Sequence, residues 1–495
     1  MKKVARMPQS LARLTLARFT LARQALPLLA AAALAACEVG PNYQRPTAPT
    51  PTAYKQIAGW TPAHPSDAAD RADWWTVFND PVLNDLEARV AVSNQTLIAA
   101  EAAYREAHAI VSEQRAALWP TLTGNGSATV SGGGGGGVVN GVVVGVGRGV
   151  SQNYRLGLGG TWELDLWGRV RRQIENARAS AQVSAADLVN ARLSAQLEVA
   201  ADYIALRQLD EQKRYNDATV QAYAESLRIT QNKYAAGTVA RSDVDQALTT
   251  LHNEMSATTA LESQRATFEN AIAILTGRPP AAVEIAPAPW TLQPVDIPPG
   301  VPSTLLERRP DVAAAERQVA AASANIGVAF AGYFPSVSLT GSGGSQVNQI
   351  GAFLSPQSLF WAAAVSATQT IFNGGLTHAQ VQAARASYDQ AVANYREAVL
   401  TALSQVENNL AAQRVLAAQQ PDLRASVTSA DDALRITENE YRAGTVDYTA
   451  VVVAQASALN AHNAELALEA SRLTTTVDLI VALGGGWSAA ELKGK

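Results

Sequence analysis

The residues best suited to chemistry are sparse and scattered. His64, His108, His252, His378 and His462 are the five histidines, and no two share the spacing of a metal site. None forms a motif with a nucleophile. The glycine run at 132–137 lacks the Gly-Lys-Ser/Thr ending of a phosphate-binding loop. The sequence therefore predicts no enzyme, no cofactor and no metal site.

One position does carry chemistry. Cys37 is the single cysteine and follows Leu34-Ala35-Ala36. Before it lie a basic segment (Lys2, Lys3, Arg6, Arg13, Arg18, Arg23) and an apolar core from about Ala25 to Leu34. This is the pattern of a secretory leader, and its end resembles a bacterial lipobox. The Cys37 thiol then takes a diacylglycerol, and cleavage leaves an acylated N-terminus that anchors without spanning. The alternative is an ordinary signal peptide with a chance cysteine, but a lone exported cysteine has no disulfide partner. Glu38, rather than an aspartate, follows the cysteine and fits delivery to the outer membrane.

Bulk properties set the frame for these residues. The chain has 495 residues, 47% hydrophobic and 17% charged. Such a composition is neither disordered nor a bundle of transmembrane helices. After the leader there is no apolar run of roughly 18 residues, so a membrane crossing must use strands. The formal charge is −4 and the leader holds six positive charges, so the mature chain is near −4 − 6 = −10. That excess argues against a nucleic-acid partner.

The elements follow from hydrophobic period. Tyr154, Leu156, Leu158, Gly160, Trp162, Leu164 and Leu166 alternate with Arg155, Gly157, Gly159, Thr161, Glu163 and Asp165. Period two with one apolar face predicts a strand with lipid on one side and water on the other. A soluble hairpin has the same pattern. Leu122 to Val130 predicts a weaker strand, with the glycines at 132–137 as a flexible loop between the two. From Arg169 to about Ala236 there is neither proline nor glycine, which predicts a helix about 100 Å long. Val189, Leu193, Leu197, Ala200 and Ile204 make one apolar stripe, and Val199, Tyr203 and Leu206 a second. Two seams suit a helix gripping a neighbour on each side, as in a wall of helices; a simple coiled coil is the alternative. A return helix is expected from about Ser242 to Leu275.

The plan then repeats. Asp311 to Gly332 predicts a helix, Val337, Leu339 and Leu359 to Val365 predict strands, and a long helix runs to about Ala443 with a local bend at Pro421. Leu227–Val239 and Leu434–Val446 share ten of thirteen residues at an offset of 207. This is a duplication. Gly237 and Gly444 fit the left-handed residue that ends a helix and allows a tight return. The predicted domains are a leader (1–36), a lipidated tether (37–70), a first repeat (71–280, strands about 120–167), a proline-rich linker (281–302), a second repeat (303–487, strands about 335–372) and a tail (488–495). Four strands cannot close a membrane barrel, whose smallest members need about eight. Several chains must share one barrel, and physics alone leaves their number open.

The chain resembles the TolC-type outer-membrane efflux family, in its lipoprotein branch serving tripartite multidrug pumps. The residues that carry the resemblance are Gly40-Pro41-Asn42-Tyr43-Gln44-Arg45-Pro46, Leu306-Glu307-Arg308-Arg309-Pro310-Asp311-Val312, the paired Tyr-x-x-Gly-Thr-Val turns and Leu483-Gly484-Gly485-Gly486-Trp487. The resemblance implies an α+β fold. It implies a homotrimeric channel with a shared twelve-stranded antiparallel barrel, four strands per chain, over a long α-helical barrel. It also implies outer-membrane lipid around the barrel, a periplasmic adaptor at the tunnel tip and an inner-membrane pump.

The family places its gate at the helix turns, where acidic rings constrict the pore. Asp243 lies nine residues after Tyr234, in the family register for a constricting aspartate. Asp245 and Asp447 lie near the same turns, with Tyr234 and Tyr441. The alternative is that these acids serve helix caps and dipoles. In the second copy the family's tip aspartates are replaced by Ala450 and Val453, so an acidic gate is built mainly by the first copy. Rival readings are a type I protein secretion duct, a metal-ion duct and a structural coiled-coil lipoprotein.

Overall fold

The computed structural model describes residues 38–51, 53–55, 73–133, 136–139, 142–145, 149–295, 308–353, 355–485 and 487. Cys37 and the whole leader lie outside them. The first repeat comprises α1 (Pro81–Ser93), α2 (Gln95–Ala116), β1 (Thr121–Gly133), β2 (Gly136–Val139), β3 (Val142–Gly145), β4 (Gly149–Leu164), α3 (Arg169–Ala235) and α4 (Arg241–Leu275). The second comprises α5 (Pro310–Ala331), β5 (Ser336–Val347), β6 (Leu359–Thr368), α6 (Leu376–Ala443) and α7 (Tyr448–Ala482).

Local chemistry sets the boundaries. Asp80 caps α1 by accepting from the Val82 and Leu83 amides at 2.8 and 3.0 Å, and Pro81 occupies the first turn. Asn94 breaks α1 from α2 and caps the latter through the Leu97 amide at 3.1 Å. The expected strand to Leu166 stops at Leu164. Asp165 instead turns to cap α3, accepting from the Val170 and Arg171 amides at 3.0 Å each. Of the glycines at 132–137, expected to form a loop, Gly132 and Gly133 lie in β1 and Gly136 and Gly137 in β2, which pairs with β3 as a small antiparallel hairpin; 134 and 135 lie outside the described residues. Pro421 sits inside α6, which continues through it unbroken. Proline removes one donor from the ladder, and a helix of 68 residues retains enough others to continue.

The chain forms two compact units, and they cut across the repeats. One gathers the segment ending at Arg45 with 106–181 and 317–392; the other gathers 46–105, 182–316 and the chain from 393 on. The first unit holds the sheet, in the order β1-β4-β5-β6 and antiparallel throughout. Strands distant in sequence meet at the repeat boundary, where Leu158 pairs with Gly343 and Trp162 with Leu339. One face carries Leu122, Val130, Leu156, Leu158, Trp361 and Val365. All are exposed, Leu156 at 61% and Trp361 at 84%. At the helix end of the strands, Trp167 stacks on Phe334 with ring centroids 4.9 Å apart and donates from Nε1 to the Pro335 carbonyl at 2.9 Å.

The second unit is helical. Its core joins Trp74, Trp75, Phe78, Leu83 and Val90 to Val199, Tyr203, Leu206, Leu473 and Val477. The second apolar stripe of α3 is therefore buried, as are Leu193, Ala200 and Ile204 of the first. Tyr203 donates to Asp80 at 2.8 Å, and Arg207 links Tyr203 (2.9 Å) to Asp210 (2.9 Å) and the Ala286 carbonyl (2.8 Å). That network fastens the segment after α4 to the middle of α3. Among the described residues, no helix is long and apolar enough to cross a membrane.

Candidate gate at the helix turns

Each long helix reverses through a short turn built on one glycine, five residues (236–240) in the first copy and four (444–447) in the second. Gly237 has φ +70° and Gly444 φ +81°, the region that favours glycine. The closing bonds match one for one. The Thr238 amide and hydroxyl both donate to the Lys233 carbonyl at 2.9 Å, and those of Thr445 to the Glu440 carbonyl at 3.0 Å. The amides of Gly237 and Gly444 donate to the carbonyls of Tyr234 and Tyr441, at 2.9 and 3.1 Å. Sequence identity at the turns is thus identity of backbone geometry.

The side chains break the symmetry. Tyr234 is 44% exposed, whereas Tyr441 is 3% exposed. Tyr441 packs edge-on against Tyr448 at 5.6 Å, within a core of Leu227, Ala247 and Val451. Its hydroxyl pairs with that of Thr230 at 2.8 Å. Lys233 places its ammonium 4.0 Å from the Tyr441 ring centroid and donates to the Tyr441 carbonyl. Burial raises the Tyr441 phenol; the Thr230 bond opposes that shift, and the Asp243 charge adds to it. Tyr448 is pushed up to about 12, chiefly by burial.

The three acids differ in setting. Asp243 is half-buried in the first turn of α4, close enough to Tyr441 to act on its phenol. Asp245 is exposed, 3.7 Å from Arg241. Asp447 caps α7, accepting from the Ala450 amide at 3.2 Å. At the matching position α4 has Ala240, with no side-chain cap. The first copy carries its acid three residues inside the helix, the second at the cap. Ala450 is half-buried and Val453 is 62% exposed, so at these two positions the second copy presents apolar side chains, and its one acid at the turn is the cap Asp447.

Sequence reasoning missed Thr230, Lys233 and Tyr448, which hold Tyr441 in place. Lys233 had a local signal: it aligns with Glu440, a charge reversal inside an otherwise conserved turn. Above the turn, Gln455 donates to Ser226 at 3.2 Å. Among the described residues, no cluster of three or more His, Cys, Asp or Glu could hold a metal ion.

The model of the family described as outer membrane efflux protein matches residues 88–278 and 301–485. The chain belongs to the outer membrane efflux protein family. The two matched segments correspond to the two repeats. The toluene efflux pump outer membrane protein TtgC of Pseudomonas putida is 31% identical over 453 residues, 90% of this chain and 92% of the relative. The pyoverdine export outer membrane protein OpmQ of Pseudomonas aeruginosa is 29% identical over 86% of this chain and 89% of that one. The solved structure of the outer-membrane channel OprN matches with TM-score 0.83 at 30% identity, covering 91% of this chain and 100% of that one. The fold is accordingly that of the outer-membrane channels.

In this outer membrane efflux protein, the segment just after Cys37 is clamped to the top of α3. Arg172 is 2% exposed. It donates to the Val39 carbonyl (3.2 Å), the Gly40 carbonyl (3.4 Å) and the Asn42 side chain (2.9 Å), and pairs with Glu175 (2.6 Å) and Glu38 (3.6 Å). The Val39 amide donates to the Trp167 carbonyl at 3.1 Å. Gly40 has φ +95°, and a Cβ there would lie 2.6 Å from the Gly327 Cα. The Gly-Pro-Asn-Tyr motif thus sets a glycine directly against the α5 backbone.

Proposed function

We propose that the chain is the outer-membrane exit duct of a tripartite efflux system, conducting drugs and other small molecules passively from the periplasm to the outside. Three copies each give four strands to one twelve-stranded barrel, and their long helices form the periplasmic tunnel. Cys37 carries the lipid anchor. The turns around Gly237 and Gly444 form the tip, where a periplasmic adaptor docks; an inner-membrane pump supplies the energy. Asp243 is the gate's main acidic residue, with Asp245, Asp447, Tyr234 and Tyr441 around it.

The observation that carries this reading is the sheet. Among the described residues its outer strands β1 and β6 each have one unpaired edge, and one face carries exposed apolar side chains, among them Leu122, Val130, Leu156, Leu158, Trp361 and Val365. Unpaired backbone cannot face lipid, so the edges must meet other copies. Toluene and pyoverdine, named for two relatives, are small organic molecules, which favours such cargo over proteins or metal ions. Native mass spectrometry of the chain extracted from outer membranes tests the assembly and the anchor together. Three copies with a diacylglycerol on Cys37 are expected; single, unlipidated chains contradict it.

A further inference from the structure

The face of the sheet opposite the apolar one is made almost entirely of small polar residues. Across β1, β4, β5 and β6 it presents threonines, serines, glycines and alanines, with the amides of Asn125, Asn153 and Gln346. Two charges stand on it, Arg155 and Glu163. Glu163 is neutralised by Arg169, whose Nη2 donates to its two carboxylate oxygens at 2.7 and 2.8 Å. Among the described residues, Arg155 has no carboxylate within ion-pair distance. Among the described residues, Phe360 is the single aromatic ring on this face.

The two are brought together across three strands. Phe360 pairs with Gly344, and Gly344 with Gly157, so two glycines lie in line with the ring. A Cβ on Gly157 would lie 3.5 Å from the Phe360 Cζ, so the ring reaches over this glycine row. The Arg155 guanidinium caps it, with Cζ 4.4 Å from the ring centroid. The ring takes one face of the guanidinium and leaves its N–H edges free for an acceptor. Arg155 lies on the turn side of the strand, about 30 Å from the helix end.

We propose that Arg155 and Phe360 form an anion-recognising constriction inside the barrel, selective for planar anionic aromatic solutes on their way out. The inference rests on the reading of this sheet as one share of a multi-copy pore. With Glu163 neutralised and the rest of the face uncharged, the Arg155 side chains of all copies gather as a ring. Like charges in a ring set the sign of the local potential. This ring is positive, opposite in sign to the acids at the helix turns. The guanidinium edge binds sulfonate or carboxylate in a fork, and the neighbouring phenyl offers a surface for a flat ring.

The test is block of single-channel current in planar bilayers by pyrenetetrasulfonate added to the strand-turn side. Wild type should be blocked. Arg155→Gln should need a concentration about tenfold higher, and its reversal potential in a salt gradient should move toward cation preference. Arg155→Lys should keep the reversal potential but weaken the block, because an ammonium lacks the fork. Phe360→Leu should weaken the block without moving the reversal potential. A conducting wild type whose block and reversal potential are unchanged in Arg155→Gln overturns this proposal alone. No wild-type current overturns the pore reading and this proposal with it.

Discussion

Arg309 donates to the carbonyl oxygen of Ala482 at 3.1 Å, at the C-terminal end of α7. In the first repeat Asn94 makes the matching bond to the Leu275 carbonyl, at 2.8 Å. Each repeat thus ends its return helix on the residue that precedes its second or only leading helix. Gly277 and Gly484 follow those carbonyls with φ +69° and +95° and pack on the backbone carbonyls of Ser93 and Arg308. The duplication extends to long-range contacts, well beyond the matching turns.

These junctions admit no side chain. A Cβ on Gly277 or Gly484 would overlap a carbonyl, and both glycines have positive φ. Gly277→Ala and Gly484→Ala should each destabilise the fold by at least about 1–3 kcal/mol. Thermal unfolding followed by circular dichroism checks this. Gly237→Ala is the control: its Cβ would meet nothing within 4 Å, so it bears the φ penalty without an overlap.

The N-terminal clamp predicts a local effect. Arg172→Gln removes the bonds to Val39, Gly40 and Asn42 and should cost about 2 kcal/mol. Limited proteolysis should cut within residues 38–45 of this variant but spare the same segment in wild type. Equal resistance in both contradicts the clamp.

Glu87 predicts a pH dependence. It is fully buried, neither carboxylate oxygen has a hydrogen-bond partner, and burial pushes it up to about 9. The unfolded chain ionises this group near the ordinary 4.5 while the folded chain keeps it protonated. The unfolded state therefore binds fewer protons, and stability falls as pH rises between about 4.5 and 9. Glu87→Gln should be more stable than wild type at pH 7 by about 3 kcal/mol, and the difference should vanish near pH 4. Parallel melting curves for the two proteins from pH 4 to pH 8 contradict the assignment.

The acids at the turns are separable by experiment. Asp243→Ala should raise ion conductance or alter cation preference in planar bilayers. Asp447→Ala loses a cap and should cost about 1 kcal/mol of stability while moving selectivity less than Asp243→Ala does. A reversed pattern, with selectivity moving only in Asp447→Ala, assigns the gate to the second copy.

The sequence made some of this legible and hid the rest for physical reasons. The first long helix was readable because proline and glycine are absent from 169 to 236, the second because it repeats the first, and the turns because ten residues in thirteen recur. The strand β4 was readable from alternation, whereas in β1 Gly124 and Gly126 sit where apolar residues were needed to show the period. Burial was not readable. Tyr234 and Tyr441 occupy equal positions in the repeat, and only tertiary packing by Tyr448 and Val451 separates them. Nor does a local pattern show that Glu87 is buried unpaired, or that Arg172 meets a segment 130 residues away.

The central claim is that copies of this chain enclose one continuous water-filled path. Single-channel recording of the purified wild-type protein in planar bilayers tests it most directly. Discrete, uniform current steps are expected at low protein concentration, larger or altered in ion preference when Asp243 is replaced by alanine. Bilayers that take up the assembled protein yet show no current steps contradict it.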